Sequence, residues 1–353
     1  MKFAKRPTSL ASLAVALVFV AGACGGSEGE SISGGDGGGG SGSGASGEVV
    51  VSGSSTVEPI SSLVAEKFQG ENPDVSISVD GPGTGDGFEL FCKGDTDVSD
   101  ASRPIEAEEQ AACEEAGIEY IELKVAIDGL TVMTNPANSA VECLDYKDLY
   151  ALLGIESEGF ESWSDANDLA AEIDAGNAPY PDVPLEIVGP GQESGTYDSF
   201  AELVLEGIAV DERKQPEDGP FIRPDYQSSP NDNVIIQGIE GSETSLGWVG
   251  FAFASEAGDQ TKSLAIDGGD GSCVEPTPES IADGSYPISR DLFVYVNAAN
   301  AEQNDALAQF VDFYLSEEGL ASVGEVGYVD QPTDQLQSSK DAWEAMETGT
   351  REG

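Results

Sequence analysis

Three short stretches of the chain combine glycine with small hydroxyl residues: Gly53-Ser54-Ser55-Thr56, the run Gly81 to Gly87 around Thr84, and the run Gly191 to Thr196 that contains Ser194 and Gly195. Such residues suit one kind of chemistry. Glycine lets the backbone approach a ligand closely, and serine and threonine hydroxyls add donors. Where the stretch leads into a helix, the first N–H groups lack intrahelical partners and carry partial positive charge, which favours an anion. One such stretch is ordinarily a tight turn with a helix cap. Three in one chain, none with Walker or dinucleotide spacing, point to a shared cradle for a small tetrahedral oxyanion.

A fourth stretch, Ser99-Asp100-Ala101-Ser102-Arg103-Pro104, adds charge of both signs. Arg103 sits in a serine-rich turn and is the first candidate for a forked contact to an oxyanion, with a surface salt bridge as its ordinary alternative. Arg223 is the second candidate, and Arg290 is expected to pack near a chain crossing. Asp100 would repel an anion unless that anion still carries a proton. Protonated phosphate can donate to a buried carboxylate; sulfate at neutral pH cannot, so an acceptor here would select between them. The plainer role for Asp100 is to cap a turn.

The composition removes other chemistries. The chain has no histidine, which excludes Ser-His-Asp and Cys-His nucleophiles and histidine-ligated metals. Its 66 acidic and 15 basic residues give a net charge of −51, a surface that repels nucleic acid. No enzyme, cofactor or metal is expected. A phosphate-ester hydrolase using Ser55 or Ser194 would need a base that the chain does not visibly supply.

The elements that must position these residues alternate. Strands are predicted over 48–51, 75–79, 96–100, 118–123, 125–134, 185–188, 246–253 and 292–296. Helices are predicted over 59–68, 88–91, 106–116, 200–205, 234–239 and 301–315, with helical pieces in 141–175. The three hydroxyl stretches then fall between a strand and the following helix. That pattern is α/β architecture with largely parallel sheets, whose ligands bind at the carboxyl ends of strands.

The N-terminus is a targeting segment. Lys2, Lys5 and Arg6 precede the apolar run Leu10 to Val20, and Ala21-Gly22-Ala23 precede Cys24. Residues 1–23 are therefore expected to be a signal peptide and Cys24 a lipidated first residue, although Ala21 stands where a lipobox usually has leucine. Residues 24–47, almost all glycine, serine and acid, make a flexible tether. The chain is then held at the outer face of the cell membrane by lipid alone. Cys92, Cys113, Cys143 and Cys273 remain, and four cysteines in an exported chain allow three pairings. Cys92–Cys113 with Cys143–Cys273 is the preferred one, since the first closes a short local loop and the second ties two ends of one region.

Six pieces carry a resemblance: Gly-Ser-Ser-Thr-Val-Glu-Pro (53–59), Gly-Thr-Gly (83–85), Ser-Asp-Ala-Ser-Arg-Pro (99–104), Asp-Gly-Leu-Thr-Val (128–132), Gly-Pro-Gly-Gln-Glu-Ser-Gly-Thr (189–196) and Tyr-Pro-Ile-Ser-Arg (286–290). In this order, over about residues 48–335, the chain resembles the phosphate-binding proteins (PstS) of high-affinity phosphate ABC transporters. The resemblance implies a type II periplasmic-binding-protein fold: two α/β lobes, 48–134 plus 291–353 and 135–290, with a ligand cleft between them. It implies that Ser55, Thr56, the Val57 backbone, Thr84, Ser194, Gly195 and Thr196 donate to inorganic phosphate and that Asp100 accepts the phosphate proton. The partners implied are the permease subunits of an ABC transporter, and a monomer is expected. A receptor for sulfate or molybdate is the near alternative. Many members of the family have an arginine four residues before the serine of the Ser-Gly-Thr loop; here that residue is Pro190, and Arg103 resembles the substitute of another branch.

Overall fold

The computed structural model describes residues 46–351 except 193, 217 and 218. The signal peptide, Cys24 and all but the last two residues of the tether lie outside the described residues. Ten strands form one sheet: β1 (Gly47–Gly53), β2 (Val75–Asp80), β3 (Val98–Ala101), β4 (Tyr120–Thr134), β5 (Glu186–Gly189), β6 (Gln227–Ser228), β7 (Ser245–Gly250), β8 (Lys262–Ser263), β9 (Ser289–Asn297) and β10 (Val329–Asp330). Their order is β2-β1-β3-β9-β4-β7-β5-β6, with β8 and β10 also pairing on β4.

β1 pairs parallel with β2 and β3, and β5 pairs parallel with β7, as alternation with helices requires. The centre departs from the expected parallel sheet. β9 returns antiparallel between β3 and β4, and β4 pairs antiparallel with β7. The predicted strands 118–123 and 125–134 are one 15-residue strand. Lys124 looks like a break in the sequence, but it pairs across to Asp291 on β9 at 3.0 Å, so the strand runs on. The predicted strand 246–253 ends at Gly250, where helix Phe251–Ala257 starts. The predicted helix 301–315 is divided at Asn304, which caps the second half.

Two large cores sit on this sheet, with smaller clusters around Phe88 and Tyr295 and around Met133 and Ile239. Val49, Val51, Ile60, Val64, Phe68, Leu123, Leu292, Val294 and Phe310 belong to one. Ile127, Leu130, Leu149, Leu152, Trp163, Phe200, Trp248 and Ile288 belong to the other. β4 passes from the first core to the second between Ala126 and Ile127, and β9 passes back between Ile288 and Leu292. Two disulfides staple the fold: Cys92–Cys113, buried, with Cα atoms 4.3 Å apart, and Cys143–Cys273, with Cα atoms 6.0 Å apart.

Four helices matter for the site. Helix α1 (Glu58–Glu71) follows β1, opens on Pro59, and buries Ile60, Val64 and Phe68 on one face. Helix α2 (Thr84–Phe91) follows β2, and α3 (Ala107–Ala116) follows β3. The side chain of Glu109 caps α3 through the N–H of Glu106. Helix α4 (Gly195–Phe200) follows β5 and continues in π-helical turns to Glu212.

Candidate oxyanion site

The ends of β1 and β3 meet in register, Gly53 opposite Asp100. A Cβ on Gly53 would lie 2.1 Å from the Asp100 carbonyl oxygen, and the residue has φ +149°, so only glycine fits there. The Ser54 N–H donates to that same carbonyl at 2.8 Å. The loop after β1 is thereby pressed against Asp100. Gly195, at the start of α4, is pressed against the same loop, because a Cβ there would stand 3.0 Å from the Ser55 carbonyl oxygen. The hydroxyl stretches after β1 and β5, remote in sequence, are thus in contact.

The hydroxyls share one arrangement. Thr84 Oγ1 accepts from the Ser102 N–H at 3.2 Å, and Ser194 Oγ accepts from the Thr196 N–H at 3.2 Å. Thr56 Oγ1 accepts from Arg290 Nη2, also at 3.2 Å. A hydroxyl has one proton to give. Engaging its oxygen with a fixed N–H donor leaves that proton to be given elsewhere. Each of these three hydroxyls is therefore set up as a donor, Thr84 toward Ser102 Oγ at 3.0 Å or a ligand and Thr56 toward Ser199 Oγ at 3.1 Å or a ligand.

Asp100 is the opposite case. It is 1% exposed, and neither carboxylate oxygen has a hydrogen-bond partner among the described residues. Burial pushes its carboxyl up from the usual 3.8 to about 7, Ser61 opposes the rise and the charge of Glu58 adds to it. The Ser61 hydroxyl is paired with Tyr314 Oη at 3.1 Å, and either oxygen can be the donor. A buried acceptor without a donor costs free energy, so the site is built for something that brings a proton.

Other predicted donors are committed within the protein. Ser55 Oγ gives its proton to Asp198 Oδ2 at 2.9 Å. The Val57 N–H closes a turn onto the Ser54 carbonyl at 3.1 Å, and the Thr196 N–H is held by Ser194 Oγ. Arg103 lies on a cavity of about 640 Å³ with Thr84, Ser102, Glu202 and Arg290. Its fork is taken by Glu109, at 2.9 and 2.8 Å, and its face rests over the Phe88 ring. Arg223 is buried, forked onto Asp225 at 2.6 and 2.8 Å, and stands beside Gly191 and Gln192 in a separate cavity.

Sequence reasoning missed Asp198, Ser199 and Asp128, and read Arg290 as packing alone. Arg290 contacts Thr56, Ser199 at 2.9 Å, Glu202 at 2.5 Å and Asp128 at 3.6 Å. The signals were present: Asp198 and Ser199 follow Ser-Gly-Thr by less than one helical turn, and Arg290 closes the Tyr-Pro-Ile-Ser-Arg motif.

Comparison with known proteins agrees with this geometry. A PBP superfamily domain model matches residues 39–318. Protein SphX of Synechocystis sp. is 35% identical over 303 residues, 86% of this chain and 84% of its own length. The phosphate-binding protein PstS of Staphylococcus epidermidis is 34% identical over 323 residues, 91% of this chain and 87% of its own length. The crystal structure of a possible phosphate binding protein from Planctomyces limnophilus superposes with a TM-score of 0.74 at 37% identity, covering 85% of this chain and 99% of that one.

Proposed function

The chain belongs to the PBP superfamily, in the family of the phosphate-binding protein PstS, and from that premise we propose that it captures inorganic phosphate outside the cytoplasmic membrane and delivers it to the permease of an ABC importer. One observation carries the reading. A buried carboxylate that lacks a donor, Asp100, lies at the end of β3 against the loop that carries Thr56, and the hydroxyl oxygens of Thr56, Thr84 and Ser194 are already engaged. That is the complement of an oxyanion that accepts several bonds and donates one.

In this reading Thr56, Thr84 and Ser194 donate through their hydroxyls, with the backbone N–H of Gly195 at the start of α4 closing the cradle, while the Val57 and Thr196 N–H groups hold the loops in shape. Ser55 joins them once its proton turns from Asp198. Asp100 accepts the phosphate proton. Arg103 contributes positive charge at the cavity wall, since Glu109 holds its fork. The lobes 48–134 plus 291–353 and 135–290 close by bending at the two strands that pass between the cores. Lipid on Cys24 and the tether 24–47 keep the monomeric receptor beside its permease, and bound phosphate leaves unchanged.

Calorimetry tests this. Inorganic phosphate should bind at least about a hundredfold more tightly than sulfate, because a buried charged acceptor left unpaired costs about 3 kcal/mol or more. Equal affinities for the two anions would refute the reading.

A further inference from the structure

Arg290 and Asp128 are cross-strand partners on β9 and β4, where both strands pass between the cores. Asp128 is 1% exposed, neither of its oxygens has a hydrogen bond among the described residues, and Arg290 Nε stands 3.6 Å from Oδ2. The pair holds the guanidinium in place by charge. From there Nη2 reaches two hydroxyls, Thr56 Oγ1 at 3.2 Å and Ser199 Oγ at 2.9 Å, which are 3.1 Å from each other. Nη1 meets Glu202 at the cavity rim.

We propose that Arg290 is a positioning residue for the oxyanion site, fixing the Thr56 hydroxyl as a donor toward the anion; this rests on Thr56 being an anion contact. A guanidinium is always protonated and can only donate. Both hydroxyls are buried, so no bulk water competes for their lone pairs. With Nη2 occupying an acceptor site on each, the two hydroxyl protons have two uses. One closes the Thr56–Ser199 bond, and the other is left for an anion on the Thr56 side or for the Asp128 carboxylate beside Ser199. An anion on the Thr56 side draws the spare proton, with Ser199 donating to Thr56.

The other arginines of the described chain make no hydrogen bond to a residue of the cradle. Arg103 is forked on Glu109, Arg213 on Glu156, Arg223 on Asp225, and Arg351 on Ser338 and Ser339. Where the chain has Pro190, Arg290 thus supplies a permanent charge hydrogen-bonded to one of the donors, one bond removed from the ligand.

The test is calorimetric titration of the full chain with inorganic phosphate, with melting curves for each variant. Arg290→Gln should weaken phosphate binding about tenfold, and Thr56→Val by a similar factor. In the Thr56→Val background, Arg290→Gln should cost less than about twofold more, because the hydroxyl it orients is gone. Losses that simply multiply would overturn the proposal, as would an Arg290→Gln protein that binds as the wild type does. If Arg290→Gln fails to fold with Asp128 left unpaired, the Asp128→Asn, Arg290→Gln double variant replaces it in the cycle. Arg290→Lys, which still donates, should retain affinity to within about threefold. A wild-type chain that binds no phosphate would instead sink the functional reading itself.

Discussion

Replacing Asp100 by Asn removes a buried charge and changes nothing in volume, so its effect can be worked from the structure. The carboxyl is held at about 7 in the folded chain against 3.8 in the unfolded one, a rise of about three pH units caused first by burial. At about 1.36 kcal/mol per unit the ionised group costs roughly 4 kcal/mol. The direction follows from proton binding. Below about pH 4 both states hold the proton and nothing is lost. Between about 4 and 7 the folded chain keeps a proton that the unfolded chain releases, so stability falls as pH rises. Above about 7 the whole cost is present. In phosphate-free buffer the Asn variant should therefore melt higher than the wild type at pH 8, on the order of 5–10 °C for a domain of this size, and equally at pH 4. The same variant should lose discrimination between phosphate and sulfate, because an amide can donate to an anion that brings no proton. A melting difference that stays flat from pH 4 to 8 would refute the account of Asp100 as an unpaired buried acid.

Other perturbations reach other parts of the molecule. Asp198→Ala should raise phosphate affinity by about threefold, by returning the Ser55 proton to the cradle; a loss of affinity would make the Ser55–Asp198 bond a closing latch instead. Arg103→Ala should change affinity by less than about threefold in calorimetry, because Glu109 already holds its fork in a partly buried ion pair. Replacing both Cys143 and Cys273 by serine should cost about 5 kcal/mol in denaturant titration, against about 3 for Cys92 and Cys113, because the loops closed span 130 and 21 residues. Phosphate association followed by stopped flow should quicken as salt rises, since screening shortens the repulsion to ~3 Å at 1 M; a rate falling steeply with salt would reveal a positive patch.

What the sequence makes legible is what local pattern determines. The strand-loop-helix units around Ser55, Thr84 and Ser194 follow from hydrophobic period and glycine placement, and helices α1 to α3 appear where predicted. Where pairing partners decide, local pattern fails. Lys124 looks like the end of a strand until its ion pair with Asp291 on β9 is seen, and the return of β9 into the centre of the sheet is set by contacts more than 160 residues apart in sequence, as in the Tyr295–Glu122 hydrogen bond (separation 173). The site divides in the same way. Its hydroxyls announce themselves as small residues beside glycine. Which end of each hydroxyl is free depends on a third residue, and that residue comes from elsewhere: Ser102 for Thr84, Arg290 for Thr56. An arginine surrounded by 66 acids in the chain has many partners on paper, so residue type alone led to Arg103 and Arg223, whose forks are filled by Glu109 and Asp225.

That filling bears on how so acidic a protein holds an anion. The arginines near the cleft bring an acid with them: Glu109 for Arg103, Asp225 for Arg223, Asp128 and Glu202 for Arg290. Each arginine is matched or outnumbered by its acids, so none offsets the net charge of −51. Attraction must begin at contact, from hydroxyl and backbone protons that carry no net charge and are screened little once water is excluded. Such donors do not distinguish phosphate from sulfate, which are alike in shape and in accepting bonds. Discrimination therefore falls to Asp100, the one group in the cradle that only a protonated anion can satisfy. An acid in an anion site is a contradiction for affinity and a requirement for selectivity. It follows that lowering the pH enough to protonate Asp100 should narrow the preference for phosphate over sulfate as the carboxyl becomes a donor, and a preference that widened on acidification would contradict this division of labour.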